Sequence, residues 1–291
     1  MPERRKGEVT LVAIMRGEGP YVGEWIRHYR GIGTHRIVVY DNGSWDPMTS
    51  VLWAAQLAYA NVERRRWPNK PDIAPQRSAY LDALERCETE WIAFFDGDEF
   101  LNLRQFGSFA EFLASLPDEC GAVGINWLMF GSGGARTRQP GGVRERFVRC
   151  APYEAGTNRR FKTLARVDRV ATMFVHQCEL SEGIYTDSMG RSIEPMEHPT
   201  RTVCTDGPML HHYITKSWEE FEKRTRKPVA SARVGSPGRQ QEAPEPRFAR
   251  TDRNEIEDTS LREHARAERE TPEDRAFARW TRVLTLGRGA G

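Results

Sequence analysis

The first hundred residues alternate between two hydrophobic rhythms. Residues 9–15 (VTLVAIM) make a short apolar run, the pattern of a buried strand. Pro20 then stands at a helix start, and Tyr21, Trp25, Ile26 and Tyr29 recur at helical spacing until Gly31-Ile32-Gly33 stops them. Residues 36–40 (RIVVY) predict a second strand, and Asp41-Asn42-Gly43-Ser44 a turn. Pro47 opens a helix that runs to about Tyr59, and Val62 marks a third strand. Residues 74–87 read as a helix with Tyr80, Leu81 and Leu84 on one face, and residues 91–95 (WIAFF) as a fourth strand. Repeated strand–helix units predict an α/β fold: a mostly parallel central sheet flanked by helices, with right-handed crossovers. In such sheets ligands bind beyond the carboxyl ends of the strands.

The pattern then loosens. Residues 109–116 suit a helix, 122–130 (AVGINWLMF) a strand, 131–134 a glycine-rich loop and 143–150 a helix. One or two strands are expected in 161–175, a hairpin in 183–193 and a last strand in 209–214. Ser217 with Glu220 three residues on forms a capping box and opens another helix. Past about residue 230 apolar residues thin out and Pro, Gly and charge take over. The expected organisation is one domain over 1–228, a flexible linker over 229–253 and a charged, helical or partly disordered tail over 254–291, docking weakly. There is no internal repeat.

Composition narrows the class. Hydrophobic residues are 38% and charged residues 29% of the 291, enough for a core. The net charge is 43 − 41 = +2, so the overall field makes no case for nucleic acid or a membrane surface. No apolar run approaches the roughly 20 residues of a membrane span. Basic residues precede the first apolar run, but that run is brief and Arg16-Gly17-Glu18 follows it, so it reads as a core strand and not as a signal peptide. Five cysteines, none in a C-x-x-C pair, suit isolated core thiols in a reducing compartment. The expected location is cytoplasmic, at most peripheral at the inner membrane face.

The chemistry concentrates in WIAFFDGDEF, residues 91–100. A buried strand that ends in Asp96-Gly97-Asp98-Glu99 sets three carboxylates side by side, where they repel and resist desolvation. A hard divalent cation relieves both problems, and Gly97 lets the backbone turn so that Asp96 and Asp98 can approach one ion. A polar turn after a strand is the plainer alternative. Asp41 and Asn42 stand at another strand end, where they can bond a base or ribose hydroxyls or simply form an Asx turn.

Taken together, Arg16-x-Glu18, Glu24-Trp25-Ile26, YDNGSWD (40–46), WIAFFDGDEF, NWLMFGSGG (126–134) and HHYITKS (211–217) resemble bacterial glycosyltransferases of the family 2-like group. The pattern is also similar to the family 92 type. The resemblance covers roughly residues 8–228. It implies a GT-A fold, a nucleotide-sugar donor (a UDP-sugar foremost), Mn2+ or Mg2+, a glycan or lipid-linked glycan acceptor and usually an inverted anomeric centre. Carried over, Asp96 and Asp98 match the metal-binding D-x-D, Asp41 the acidic residue that meets the base, and Arg16 and Glu18 the first-strand pocket residues. His212 matches a histidine that serves as third metal ligand or diphosphate contact; a packed core imidazole is the other reading. Lys162 falls where a lysine meets a phosphate or is simply solvated. The chain departs from the family at Gly17, where Asn is usual, in the order His28-Tyr29, and at Ser44-Trp45-Asp46.

An acceptor hydroxyl must lose a proton, so a carboxylate base is expected across the sugar from the metal. Glu145 and Asp187 are weak candidates, each equally at home as a structural carboxylate. Trp127 and Phe130 can stack a sugar face on the acceptor side or sit in the core. Two other readings remain open on sequence alone: a nucleotide-sugar or glycan binder without turnover, and a metal-dependent nucleotidyltransferase. The sugar, the acceptor and the oligomeric state are not written in the sequence.

Overall fold

The computed structural model describes residues 4–194, 199–225, 243–267 and 271–286. Strands β1 (Arg5–Met15), β2 (Arg36–Asp41), β3 (Val62–Arg66) and β4 (Thr89–Phe94) alternate with helices α1 (Val22–Gly31), α2 (Met48–Ala58) and α3 (Pro75–Glu85). Side-chain alternation along β1 explains the layering. Leu11, Ala13 and Met15 enter the core beneath α1 and α2, while Val12 and Ile14 enter the core beneath α3. The two helix layers therefore cover opposite faces of one sheet.

After β4 the chain turns back as β5 (Glu99–Asn102), passes α4 (Phe109–Ala114), and runs through the fully buried β6 (Cys120–Met129). A single helical turn, α5 (Val143–Arg146), leads to β7 (Arg149–Cys150). Then come β8 (Phe161–Arg166), β9 (Val170–Met173), β10 (Cys178–Leu180), β11 (Ile184–Asp187) and β12 (Met209–His212). The main sheet has the order β3-β2-β1-β4-β8-β6-β12-β5, with β11 also on β6. Pairings β1–β2, β1–β4, β2–β3, β6–β11 and β6–β12 are parallel; β4–β8, β6–β8 and β5–β12 are antiparallel. The expected α/β class holds, with a sheet that is mixed. Because β8 runs opposite to both β4 and β6, these two share a direction, and β12 follows β6. The carboxyl ends of β1, β2, β4, β6 and β12 and the start of β8 thus lie along one edge.

The C-terminal region differs from the expected linker and weak tail. Helix α6 (Trp218–Thr225) opens on Ser217, whose N–H donates to Glu220 Oε2 at 3.3 Å while its Oγ accepts from Glu220 N at 3.4 Å, the two bonds of a capping box. Residues 226–242 of the expected linker lie outside the described residues. Beyond them come α7 (Pro244–Thr251), β13 (Ile256–Glu257), α8 (Ser260–Ala267) and α9 (Pro272–Leu286). Phe248 of α7 packs edge-on against Trp218 and Phe221 at 5.1 and 5.3 Å. Strand β13 pairs with β7, which is why the expected helix over 143–150 ends after one turn. On α9, Phe277 is fully buried against Tyr59, and Asp274 accepts from Arg30 Nη1 and Tyr59 Oη, both at 2.8 Å. The polar composition misled because a few apolar anchors and backbone bonds, widely spaced, do the docking. Gly131 shows it directly: a Cβ there would collide with the Arg253 backbone. The glycine loop makes room for the C-terminal segment.

Among the described residues no helix is long and apolar enough to cross a membrane.

Candidate active site at the carboxyl edge

The turn Asp96-Gly97-Asp98-Glu99 is held from two sides. Trp25 of α1 donates its indole N–H to the carbonyls of Asp96 and Glu99, each at 3.1 Å, and Tyr29 Oη donates to Glu99 O at 3.0 Å. Just past β12, Tyr213 N donates to Asp98 O at 2.9 Å. Inside the turn Glu99 folds back, its Oε2 accepting from Asp96 N at 2.7 Å. Gly97 is small because Met15 lies against it: a Cβ would stand 3.0 Å from the Met15 Sδ.

Thus anchored, the two aspartates take different partners. Asp96 is a third exposed; its Oδ2 meets Lys162 Nζ at 2.8 Å and its Oδ1 accepts from Gln76 at 3.2 Å. Asp98 is buried; its Oδ2 accepts from Arg224 Nη1 at 2.8 Å and its Oδ1 faces His212 Nε2 at 3.5 Å. Burial pushes the Asp98 carboxyl up, but Arg224 and His212 outweigh it and hold it well below the usual carboxylate range. Burial lowers the Lys162 ammonium, yet Asp96 and Glu99 beside it hold it above the usual lysine value, charged. Glu99 goes the other way: fully buried, it is pushed well above the usual value despite Lys162.

A second cation pair completes the rim. Lys216 Nζ meets Glu18 Oε2 at 3.3 Å and lies 4.5 Å above the Tyr21 ring. Lys216 is a non-glycine residue at φ 54°, the left-handed conformation that costs a bulky side chain. Arg16 stands over Trp45, which is half exposed, at 5.1 Å.

Trp127 points to the same side. Its ring centroid is 4.4 Å from that of His212 and 5.8 Å from His176. Trp127 is 8% and His212 3% exposed, yet Trp127 Nε1 and His212 Nδ1 have no hydrogen-bond partner among the described residues. Buried polar atoms of this kind await one. Beyond them, Arg77 and residues 174–177 line a cavity of about 350 Å³.

The remaining sequence candidates lie elsewhere in the bonding scheme. Asp41 is buried and fully engaged, Oδ1 by Ser44 N and Oδ2 by Arg64 and Thr49 Oγ1. Asn42 Nδ2 donates to Trp67 O and Asn69 Oδ1 at 2.8 and 2.7 Å, while its Oδ1 has no partner among the described residues. Phe130 sits between His211 and Tyr213, 4.7 Å from each ring, as a core aromatic. Glu145 is exposed on α5. Asp187 anchors the turn after β11, accepting from Met189 N and the Arg191 backbone and guanidinium. The edge thus gathers Asp96, Asp98, Lys162, His212 and Trp127, with Glu18 close by. Lys216, Arg224 and Gln76 were missed. Lys216 lies inside the HHYITKS motif, and Arg224 sits seven residues past the Ser217 cap, two helical turns along.

Whether these residues suit a divalent cation turns on the donor set. Among the described residues no three His, Cys, Asp or Glu side chains gather as a cage. Mg2+ and Mn2+ sites that work on phosphates need less: one or two protein ligands, the rest water and phosphate. A buried carboxylate oxygen facing an imidazole nitrogen at 3.5 Å fits that kind of site.

Comparison with known proteins follows the same direction. The sequence pattern that defines glycosyltransferase family 92 matches residues 18–259. A family 92 glycosyltransferase protein of Oryza sativa subsp. japonica is 29% identical over 237 residues, 78% of this chain and 37% of that protein. One of Arabidopsis thaliana is 22% identical over 241 residues, 78% of this chain and 38% of the other. The chain therefore spans less than two fifths of the length of these curated relatives. Among solved structures, TarS of S. aureus is similar at 13% identity and a TM-score of 0.38, over 75% of this chain and 38% of TarS. TarS 1-349 in complex with UDP-GlcNAc reaches 0.34 at 13% identity, over 55% and 45%. Scores this low mark a loose likeness of the α/β body and no more.

Proposed function

The chain belongs to glycosyltransferase family 92, and from that premise we propose that it transfers a sugar from a nucleotide-diphosphate sugar, a UDP-sugar foremost, to a hydroxyl of a glycan acceptor. The observation that carries the reading is the buried Asp98–His212 pair at the carboxyl edge, ringed by Lys162, Lys216 and Arg224. Asp98 and His212 would hold Mn2+ or Mg2+ together with donor phosphate oxygens. When bound, the ion supplies Lewis-acid neutralisation of the charge that builds on the departing diphosphate.

The chain's own residues do the rest. Lys162 holds Asp96 in place through their ion pair, and adds positive potential where phosphate charge develops. Trp25 and Tyr29 fix the turn so that Asp98 does not have to reorganise during the reaction. Trp127 offers an indole N–H and a ring face to a sugar hydroxyl and its apolar side. The reading includes a single displacement with inversion. Asp187 and Glu145 are not assigned as its base, since one is spent on Arg191 and the other is exposed on α5.

The test is turnover of a panel of UDP-sugars with Mn2+ and glycan acceptors, read as nucleoside diphosphate released, by the wild type and Asp98→Asn. Release that falls at least a hundredfold in a variant with unchanged circular dichroism supports the reading. Equal release by both contradicts it, and pyrophosphate as product would mark a nucleotidyltransferase instead.

A further inference from the structure

Asp98 is already neutralised by a residue of its own chain. Arg224 Nη1 stands 2.8 Å from Asp98 Oδ2 and also donates to Ile214 O at 3.0 Å, so the guanidinium ties the acidic turn to the segment after β12. The neighbouring cations have other anions: Lys162 faces Asp96, and Lys216 faces Glu18. The two partners differ in freedom. The Asp98 side chain is 5% exposed and its backbone is clamped by Tyr213 N, whereas the Arg224 side chain is 36% exposed on the last turn of an eight-residue helix. The carboxylate is fixed and the arginine has room to leave.

We propose that Arg224 is a diphosphate-binding residue that occupies Asp98 until donor and divalent cation arrive together, and then transfers from the carboxylate to a phosphate oxygen. The inference rests on the metal-assisted donor site proposed above. Two cations on one carboxylate repel, so the ion and Arg224 compete for Asp98. A guanidinium presents paired N–H donors that match phosphate oxygens, so the donor offers Arg224 a new anion when the ion takes the old one. Ion and donor then assist each other's binding by the same factor, as linkage demands.

Two titrations of the full chain separate the possibilities: Mn2+ alone, followed by electron paramagnetic resonance of the free ion, and UDP in the presence of Mn2+, followed by calorimetry. Arg224→Gln is expected to bind Mn2+ without nucleotide at least tenfold more tightly than the wild type, and UDP with Mn2+ at least tenfold more weakly. Arg224→Lys keeps the charge and loses the fork; it should leave the Mn2+ constant near wild type and still weaken UDP, and it carries the test if the Gln variant fails to fold. A Gln variant that matches the wild type in both titrations, or binds Mn2+ more weakly, overturns the inference, as does a Lys variant with wild-type UDP affinity. If the wild type binds no UDP at any Mn2+ concentration, the proposed function fails first, before Arg224 is at issue.

Discussion

Asp41 and Asp98 are the same residue type, both buried, one closing β2 and the other just beyond β4 on the same edge of the sheet. Their surroundings differ in kind. Asp41 spends both oxygens on residues close in sequence or on the next strand: Ser44, Thr49 and Arg64. Asp98 draws its partners from the far end of the chain, His212 and Arg224. In the first arrangement both oxygens of the aspartate are spent locally, although Asn42 Oδ1 beside it has no partner among the described residues. The second puts cations beside orphaned buried donors such as Trp127 Nε1, which leaves bonds to be made by something else. Burial and residue type do not separate the two aspartates; the origin of their partners does, local for Asp41 and distant for Asp98.

Exchanging the two aspartates' roles by mutation tests the contrast, and the largest effect belongs to Asp98. Asp98→Asn should lower kcat of the folded fraction about a thousandfold, roughly 4 kcal/mol of lost transition-state stabilisation. Comparable kcat would erase the distinction. Next comes Lys162→Met, which leaves Asp96 without its cation. Removing one partner of a buried pair costs about 3–5 kcal/mol, and the partial exposure of Asp96 brings the expected loss to about 2–3, read by chemical unfolding together with a raised donor KM. A loss below 1 kcal/mol would mean that solvent screens the pair.

Asp41→Ala should behave in the opposite sense to Asp98→Asn: about 2 kcal/mol of stability lost through the Arg64 pair, with kcat of the folded fraction within threefold of wild type. A tenfold rise in donor KM would instead return Asp41 to the donor pocket, as the family resemblance implies. The smallest effect is in acid. Burial raises the Asp41 carboxyl, but Ser44, Arg64 and Thr49 outweigh it and hold it below its ordinary value near 4. Its folded value being depressed, its contribution is present above about pH 4 and lost as pH falls through the folded value, at no more than about 1.4 kcal/mol per pH unit. Asp41→Asn should flatten that part of the acid unfolding curve; an unchanged slope would show that other carboxylates carry it.

Much of this was legible in the sequence, and unevenly so. The elements from β1 to β4 announce themselves because apolar periodicity and Pro or Gly boundaries agree there, and four of the six motifs that carry the resemblance sit on or beside them, the other two on β6 and β12. The capping box at Ser217–Glu220 was equally plain, being local. What stayed hidden depends on partners distant in sequence. Strand β5 is four residues long and has no signal of its own, since only pairing with β12 makes it a strand. The helical character expected of residues 254–291 is there in α8 and α9, but helix α7 and the docking of this region stayed hidden because single anchors, Phe248 and Phe277, carry no periodic signal. Arg224 is the same problem at the site: a charged residue near a helix end reads as solvated until the fold brings Asp98 to it. Phe130 shows the converse, an aromatic next to glycines whose neighbours turn out to be core rings and the C-terminal segment.

The most direct measurement is an anomalous diffraction map from crystals of the full chain soaked with UDP and Mn2+, collected at the manganese edge. The account predicts one manganese peak bonded to the Asp98 carboxylate and the UDP phosphates, with Arg224 moved off Asp98. Bound UDP with Arg224 still on Asp98 and no manganese there would contradict it.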